Sequence, residues 1–106
     1  MACVLVATTL PTREAAVALA DAVVGGHLAA CGQVSGPLAS VWCWRGAVER
    51  GEEWRCELKT TRDRLAALEA AITARHPYEL PELTVAPLAG SERYLAWIEE
   101  AVRADG

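Results

Sequence analysis

The chain has 106 residues, of which 53% are hydrophobic, and its 14 acidic and 10 basic residues give a net charge of −4. This length suits one domain, which we expect to span residues 1–106. Basic residues are dispersed, which argues against a nucleic-acid partner. No apolar run reaches the roughly 20 residues of a membrane span, and no basic signal segment opens the chain, so we expect a cytoplasmic protein without a membrane span.

The first part of the sequence predicts a strand followed by a helix. Residues 3–9 form an apolar, β-branched run typical of a strand that is buried on both faces. From Thr12 to about Val24, apolar residues recur at helical spacing. Gly25 and Gly26 then end this helix, because glycine adopts positive φ angles without steric cost.

The middle of the sequence predicts a hairpin. Residues 31–35 and 39–45 are rich in strand-forming residues, and Ser35, Gly36 and Pro37 between them predict a bulge, bend or break. Residues 53–60 alternate between apolar and charged side chains, as in a strand. Its two faces are Trp54, Cys56 and Leu58, and Glu53, Arg55, Glu57 and Lys59. The intervening RGAVERGE is polar and predicts the turn between antiparallel neighbours.

The last part of the sequence predicts a helix, a strand and a final helix. Thr61 is suited to cap the second helix, which must end by His76 because the next residue is proline. Residues 82–88 predict a short strand, and Pro87 favours a sheet edge or the strand's end for it. Ser91 is suited to cap the final helix.

The resulting order, β-α-β-β-α-β with a terminal helix, predicts an α+β ferredoxin-like split βαβ fold. Both predicted crossover helices pack on one face of the sheet and leave the other face open. The sequence contains four tryptophans, and a sheet surrounded by them seldom leaves one face in water. We therefore expect a second chain to cover the open face.

The four cysteines, Cys3, Cys31, Cys43 and Cys56, form no CxxC pair and match no zinc template. Each lies in an apolar or strand-like run, where a free cysteine behaves as a small hydrophobic residue. Two disulfides and a metal site remain alternatives, but the pattern favours reduced thiols.

Six segments, in order and with matching intervals, resemble those of one family. They are TTLPTREAA, HLAACGQV, SVWCWRGAV, ELKTTRDRL, HPYELPEL and YLAWI. On these segments the chain resembles the CutA family of divalent-cation tolerance proteins over nearly its whole length.

The resemblance implies a tight homotrimer whose architecture is similar to that of the nitrogen-regulatory PII-type signal proteins. The family takes its name from altered tolerance to copper and other divalent ions, and members have been described as binding copper. The expected ligand is therefore Cu²⁺ or another divalent cation, with no obligatory cofactor.

His76 is the leading candidate metal ligand, with Glu79 and Glu82 nearby in HPYELPE. Imidazole with carboxylates suits borderline divalent metals. The family's proposed copper ligands also include a cysteine before the loop proline and a second histidine, where this chain has Leu10 and Arg75. The alternative is that the His76 imidazole bonds the last carbonyls of its helix.

A second set of residues is expected at a subunit cleft or interface. It comprises Cys31, Trp42, Trp44, Lys59, Tyr78 and Trp97. Tryptophan and tyrosine anchor interfaces because they bury a large area and keep one polar group. Cys31 is either an inert buried thiol or, beside a cation, a reactive one. Trp42 and Gln33 replace a family Tyr and Asn, and Arg55 and Glu57 add charge to a usually apolar stretch.

No nucleophile elbow, P-loop or dinucleotide-binding motif occurs in the sequence, so we expect no enzymatic activity. Three functions remain open: a trimeric metal-responsive protein, a PII-like signalling module that binds a small molecule or protein at the subunit clefts, and a structural scaffold. In the second, the segment RGAVERGEE would report ligand binding.

Overall fold

The computed structural model describes residues 2–103 and contains four strands and three helices within them. The elements are β1 (Cys3–Leu10), α1 (Arg13–Gly25), β2 (Cys31–Trp44), β3 (Ala47–Thr61), α2 (Arg62–Arg75), β4 (Thr84–Leu88) and α3 (Glu92–Ala101). The strands form one antiparallel sheet in the order β2-β3-β1-β4. This order confirms the predicted ferredoxin-like split βαβ fold.

The main core lies between one face of the sheet and helices α1 and α2. Because side chains alternate along a strand, β1 and β3 each direct every second residue to this face. The fully buried side chains there include Val4, Val6, Leu58, Leu68 and Ile72. The inward face predicted for residues 53–60 is confirmed, since Cys56 and Leu58 are buried and Trp54 packs against them.

Two of the three helices start with a side-chain capping hydrogen bond, and the one at Ser91 was predicted. The Thr12 hydroxyl accepts a hydrogen bond from the Ala15 N–H, and the Ser91 hydroxyl accepts one from the Tyr94 N–H. Thr61 lies at the predicted N-cap position of α2, but its side chain makes no capping hydrogen bond. Its hydroxyl is buried and makes no hydrogen bond within the described part of the chain.

Strands β2 and β3 form a hairpin much longer than the sequence predicted. Residues 31–44 make one strand whose pairing is irregular between Ser35 and Leu38, which confirms the expected bulge. The turn predicted for RGAVERGE was wrong in extent. Only Arg45 and Gly46 form it, with φ angles of 51° and 84°, because residues 47–52 pair with β2. Positive φ at both turn residues matches the twist of the flanking strands.

Helix α3 covers one end of the other face of the sheet, the face that the sequence analysis predicted to be open. Ile98 and Val102 of α3 pack with Cys3 and Ala30 in a second, smaller core. The prediction that this face is wholly open was therefore wrong, because the last helix folds back across it. β4 is an edge strand, as Pro87 indicated, but it begins at Thr84 rather than at residue 82. No helix in the described range is both long and apolar enough to cross a membrane.

Candidate functional site

The long hairpin and the 76–83 loop, which joins α2 to β4, enclose a cleft of about 950 Å³. The hairpin contributes Ala39, Ser40, Val41, Trp42, Cys43, Trp44, Glu49 and Glu53, and the loop contributes Pro77, Tyr78, Glu79, Leu80, Pro81 and Glu82; Thr9 of β1 completes the lining. Trp42 lies opposite Glu49 in the β2–β3 register, so an aromatic ring and a carboxylate share one face of the hairpin. The cleft therefore combines aromatic and acidic walls.

His76 fixes the start of the 76–83 loop to β1. The Tyr78 N–H donates to Nδ1 of His76 over 3.2 Å, and Nε2 lies 2.8 Å from the Thr9 carbonyl oxygen. A nitrogen that accepts an N–H carries no proton, so Nε2 carries it and donates to Thr9. The alternative that His76 bonds the last carbonyls of its own helix is thus replaced by a bond to a neighbouring strand.

Arg45, at the hairpin turn, bridges the two walls of the cleft. Its Nη2 lies 3.0 and 2.9 Å from the two carboxylate oxygens of Glu79 in the loop. Its guanidinium carbon lies 5.0 Å from the centroid of the Trp44 ring, within the range of a cation–π contact. Both ends of this ion pair are largely exposed, so it contributes little to stability and can open.

Tyr78 makes the second bridge between the loop and the hairpin. Its hydroxyl donates to Oε2 of Glu53 over 2.9 Å. Burial, the hydrogen bond to Glu53 and the negative charge of Glu53 together raise the pKa of Tyr78 to about 12. Further along β3, Nη1 of Arg55 lies 3.5 Å from Oε2 of Glu82. Arg55 and Glu82 therefore form an ion pair within one chain.

The lining of the cleft is strongly acidic. It includes Glu49, Glu53, Glu79 and Glu82 and no lysine, arginine or histidine. Glu79 and Glu82 are paired with Arg45 and Arg55, whereas Glu49 forms no ion pair with any residue in the range 2–103. Clustered charges of one sign beside a low-dielectric wall raise the local concentration of counter-ions. The cleft is therefore suited to cations.

The candidate metal ligands His76, Glu79 and Glu82 lie along one loop, but each already has a partner. Both ring nitrogens of His76 are engaged, and the two carboxylates are paired with arginines. Across residues 2–103, no three His, Cys, Asp or Glu side chains are grouped so that they could hold a metal ion. Metal binding by His76, Glu79 and Glu82 stays a prediction.

The residues predicted for a cleft or interface fall into two groups. Trp42, Trp44 and Tyr78 line the cleft. Cys31, Lys59 and Trp97 belong instead to the end of the sheet that α3 covers. Lys59 pairs with Cys31 across β2 and β3, and its Nζ lies 3.2 Å from the Tyr94 hydroxyl and 3.3 Å from Gln33 Oε1. Trp97 is exposed, and its ring centroid lies 5.5 Å from that of Tyr94.

Two residues that line the cleft, Glu49 and Glu53, and Arg45 beside it were missed as site candidates. Arg45 was read as part of a turn, Glu49 was not singled out, and Glu53 was read only as part of a charged strand face. The signal that could have found them is the length of the hairpin. Pairing the residues on either side of Arg45 and Gly46 places Glu49 beside Trp42.

All four cysteines are free, as the sequence pattern favoured. Cys3 and Cys56 are buried, Cys31 is half-buried and Cys43 is exposed. Burial, with a smaller effect from Glu57, raises the pKa of the Cys56 thiol to about 11. Cys56 is therefore a packing residue of the core rather than a nucleophile.

Fold and cleft together define a small ferredoxin-like α+β protein with an acidic, aromatic groove. Residues 4–101 match the family model described as CutA1 divalent ion tolerance protein. The chain belongs to this family.

Curated relatives and solved structures agree with this membership. The chain is 36% identical over 97 residues to the divalent-cation tolerance protein CutA of Thermus thermophilus, covering 91% of this chain and 94% of that protein. It is 35% identical to the chloroplastic protein CutA of Arabidopsis thaliana over 94% of this chain, but spans only 56% of that relative's length. The crystal structure of CutA1 from Oryza sativa aligns with a TM-score of 0.92 and 31% identity, covering 98% of this chain and 96% of that one.

Proposed function

We propose that this protein acts as a cytoplasmic, non-enzymatic homotrimer in tolerance to divalent cations, and that it attracts Cu²⁺ or another divalent cation to the cleft. The observation that carries this proposal is the acidic lining, with four glutamates and no basic side chain. The names of the relatives, which refer to divalent-cation tolerance, support the same function.

The side-chain pairs in the cleft define how a cation would bind. Glu49 is available without rearrangement, whereas Glu79 and Glu82 must first leave Arg45 and Arg55. Each such exchange replaces an existing ion pair and reduces the net gain. Binding is therefore weak and reversible, as suits a protein that responds to metal ions and needs no obligatory cofactor.

Exposed apolar side chains on the hairpin support the homotrimer. Val41 is 64% exposed, Val48 is 58% exposed and Trp42 is 41% exposed. The molecule extends 44 Å along its longest axis and about half of that along the other two, as expected for a projecting hairpin. Val41 and Val48 share one face of the hairpin and Trp42 lies on the other. Exposed apolar side chains of this kind support an interaction site, and identical copies in a ring can cover them without a further partner.

Isothermal titration with Cu²⁺ and Zn²⁺ tests the metal proposal. Glu49→Gln removes a carboxylate of the cleft that forms no ion pair or hydrogen bond within residues 2–103 and should weaken binding by about threefold to tenfold, the effect of one charge near a protein surface. His76→Ala tests the predicted ligand separately. Glu14→Gln, an exposed change on α1, is the matched control and should bind as wild type. Identical isotherms for wild type, Glu49→Gln and His76→Ala would contradict binding at the cleft.

A second candidate function, a PII-like module that binds a small molecule, is favoured by the size of the cleft. Its volume of about 950 Å³ lies within the range of small-molecule sites. The acidic lining disfavours nucleotides and other anions as the ligand. A thermal-shift screen should therefore find stabilisation by cationic compounds rather than by nucleotides.

A further inference from the structure

We propose that the sheet face beside α3 is an interface between copies of this chain, in which Glu57 of one copy forms an ion pair with Lys59 of the next. This inference rests on the proposed homotrimer and deepens it, because it names the surface and the side chains that join the copies. It is carried by two neighbouring charges of opposite sign that have no ion-pair partner within residues 2–103.

Glu57 and Lys59 lie on the face of the sheet that is opposite to α1 and α2. Side chains alternate along β3, so these two residues share one face and lie about 7 Å apart along the strand, while Leu58 between them points into the main core. In register with Glu57 are Ala7 of β1 and Gln33 of β2. Both are neutral, so neither cross-strand neighbour compensates the carboxylate.

Lys59 marks the border between the part of this face that α3 covers and the part that it leaves uncovered. Its Nζ lies 3.2 Å from the Tyr94 hydroxyl of α3 and 3.3 Å from the amide oxygen of Gln33. These contacts fix the position of the ammonium group. Both partners are neutral, so the positive charge of Lys59 is not compensated by them.

Glu57 is half-buried, and its charge is also uncompensated. The other cation beside it on β3 is Arg55, whose Nη1 lies 3.5 Å from Glu82 of the 76–83 loop. Removing part of the hydration of a carboxylate lowers stability unless a counter-charge replaces the water. A cation brought by another molecule would supply that counter-charge.

A second copy of the chain is the partner that these two charges fit. A polyanion would match Lys59 and be repelled by Glu57, and a cationic ligand would do the reverse. An identical chain carries both counter-charges at the matching spacing. In a closed ring every copy makes the same contact, so one pair of Glu57 with Lys59 at each interface uses both charges of every copy.

Two aromatic rings next to Lys59 extend the same surface. Tyr94 is 38% exposed and Trp97 is 47% exposed, and their ring centroids are 5.5 Å apart. Rings of this kind anchor interfaces because they bury a large area and keep one polar group. A copy that covers them would also exclude water from the ion pair and strengthen it.

Zero-length crosslinking with a carbodiimide tests the pair directly, because Lys59 is the only lysine in the sequence. The reagent joins a carboxylate to an amine only where the two are in contact. We expect bands at two and three times the mass of one chain on a denaturing gel, and mass spectrometry of the two-chain band should place the link between Glu57 and Lys59. Lys59→Arg keeps the charge without a reactive amine, so it should keep the assembled mass and lose these bands. Glu14→Gln, on α1, is the control and should keep both.

Light scattering of charge-reversal variants tests whether the pair contributes to assembly. Glu57→Lys places like charges together at every interface and should raise the dissociation constant of the trimer by at least about tenfold. The double variant Glu57→Lys/Lys59→Glu exchanges the two signs and should restore assembly. Glu14→Lys makes the same change at an exposed position of α1 and should have no effect. Circular dichroism verifies that the variants fold, and crosslinking of the wild type provides an independent test if one does not.

The outcomes separate this inference from the proposed homotrimer. A wild-type trimer without links between chains would overturn the inference and leave the homotrimer standing. Links that persist in Lys59→Arg, or that join Lys59 to a carboxylate other than Glu57, would do the same. A wild-type mass of one chain would overturn both.

Discussion

The two ends of strand β3 have contrasting surroundings although they share one backbone. Toward its C-terminal end, Cys56 and Leu58 are completely buried under α1 and α2. Toward its N-terminal end, Val48 is 58% exposed, because the hairpin extends beyond both helices. The difference arises from what covers the strand and not from the type of residue, since valine and leucine are equally apolar. One end is stabilised by its own chain, and the other is left exposed by it.

The largest expected effect is at the helix-covered end. Leu58→Ala removes a fully buried side chain and leaves a cavity, so the free energy of unfolding should fall by about 2–5 kcal/mol. Urea unfolding at fixed protein concentration measures this loss.

Leu80→Ala is the matched control for this comparison, since it removes the same atoms from a side chain of the 76–83 loop that is 71% exposed. Its loss should be smaller and should vary with protein concentration to the extent that other copies cover the loop. Equal losses at Leu58 and Leu80 that do not vary with concentration would mean that the two regions are equally well packed.

A smaller effect is expected from Tyr78 of the 76–83 loop, whose hydroxyl donates a hydrogen bond to Glu53 of β3. Its pKa is raised to about 12 from an ordinary value of about 10, so folding favours the protonated phenol that donates to Glu53. The contribution of Tyr78 to stability is therefore complete below about pH 10 and is lost as the pH rises toward about 12.

Absorbance of the phenolate measures this pKa directly. The protein has two tyrosines, so the difference between the titrations of wild type and Tyr78→Phe isolates Tyr78. The difference should have its midpoint near pH 12. A midpoint near pH 10 would show that the bridge between Tyr78 and Glu53 does not persist in solution.

The sequence was sufficient for the order of the elements and for the buried face of the sheet. Periodicity predicted α1, and strict alternation predicted that Cys56 and Leu58 point inward. Local chemistry also located the start of α3 at Ser91, because a capping hydroxyl contacts a backbone N–H only three residues away. These features depend on neighbours in sequence, which explains their success.

The full length of the hairpin and the side-chain pairs of the cleft were not predicted, and the pairs join residues distant in sequence. A two-residue turn with positive φ angles usually carries Asn-Gly or Asp-Gly. Here Arg45 occupies the first position, so the sequence lacks the usual signal for this turn. The pairs Arg45–Glu79 and Tyr78–Glu53 join residues 34 and 25 positions apart. No periodic pattern encodes such pairs, so the acidic cleft became visible only when the loop and the hairpin were placed side by side.

The most direct test of the central claim, that the hairpin is covered by other copies of the chain, is the mass in solution by light scattering at two concentrations, with and without Cu²⁺. We predict about three times the 11.3 kDa mass of one chain under every condition. We also predict a lower mass for the double variant Val41→Asp/Val48→Asp, with its circular dichroism retained. A wild-type mass of one chain, or assembly only with Cu²⁺, would contradict the account.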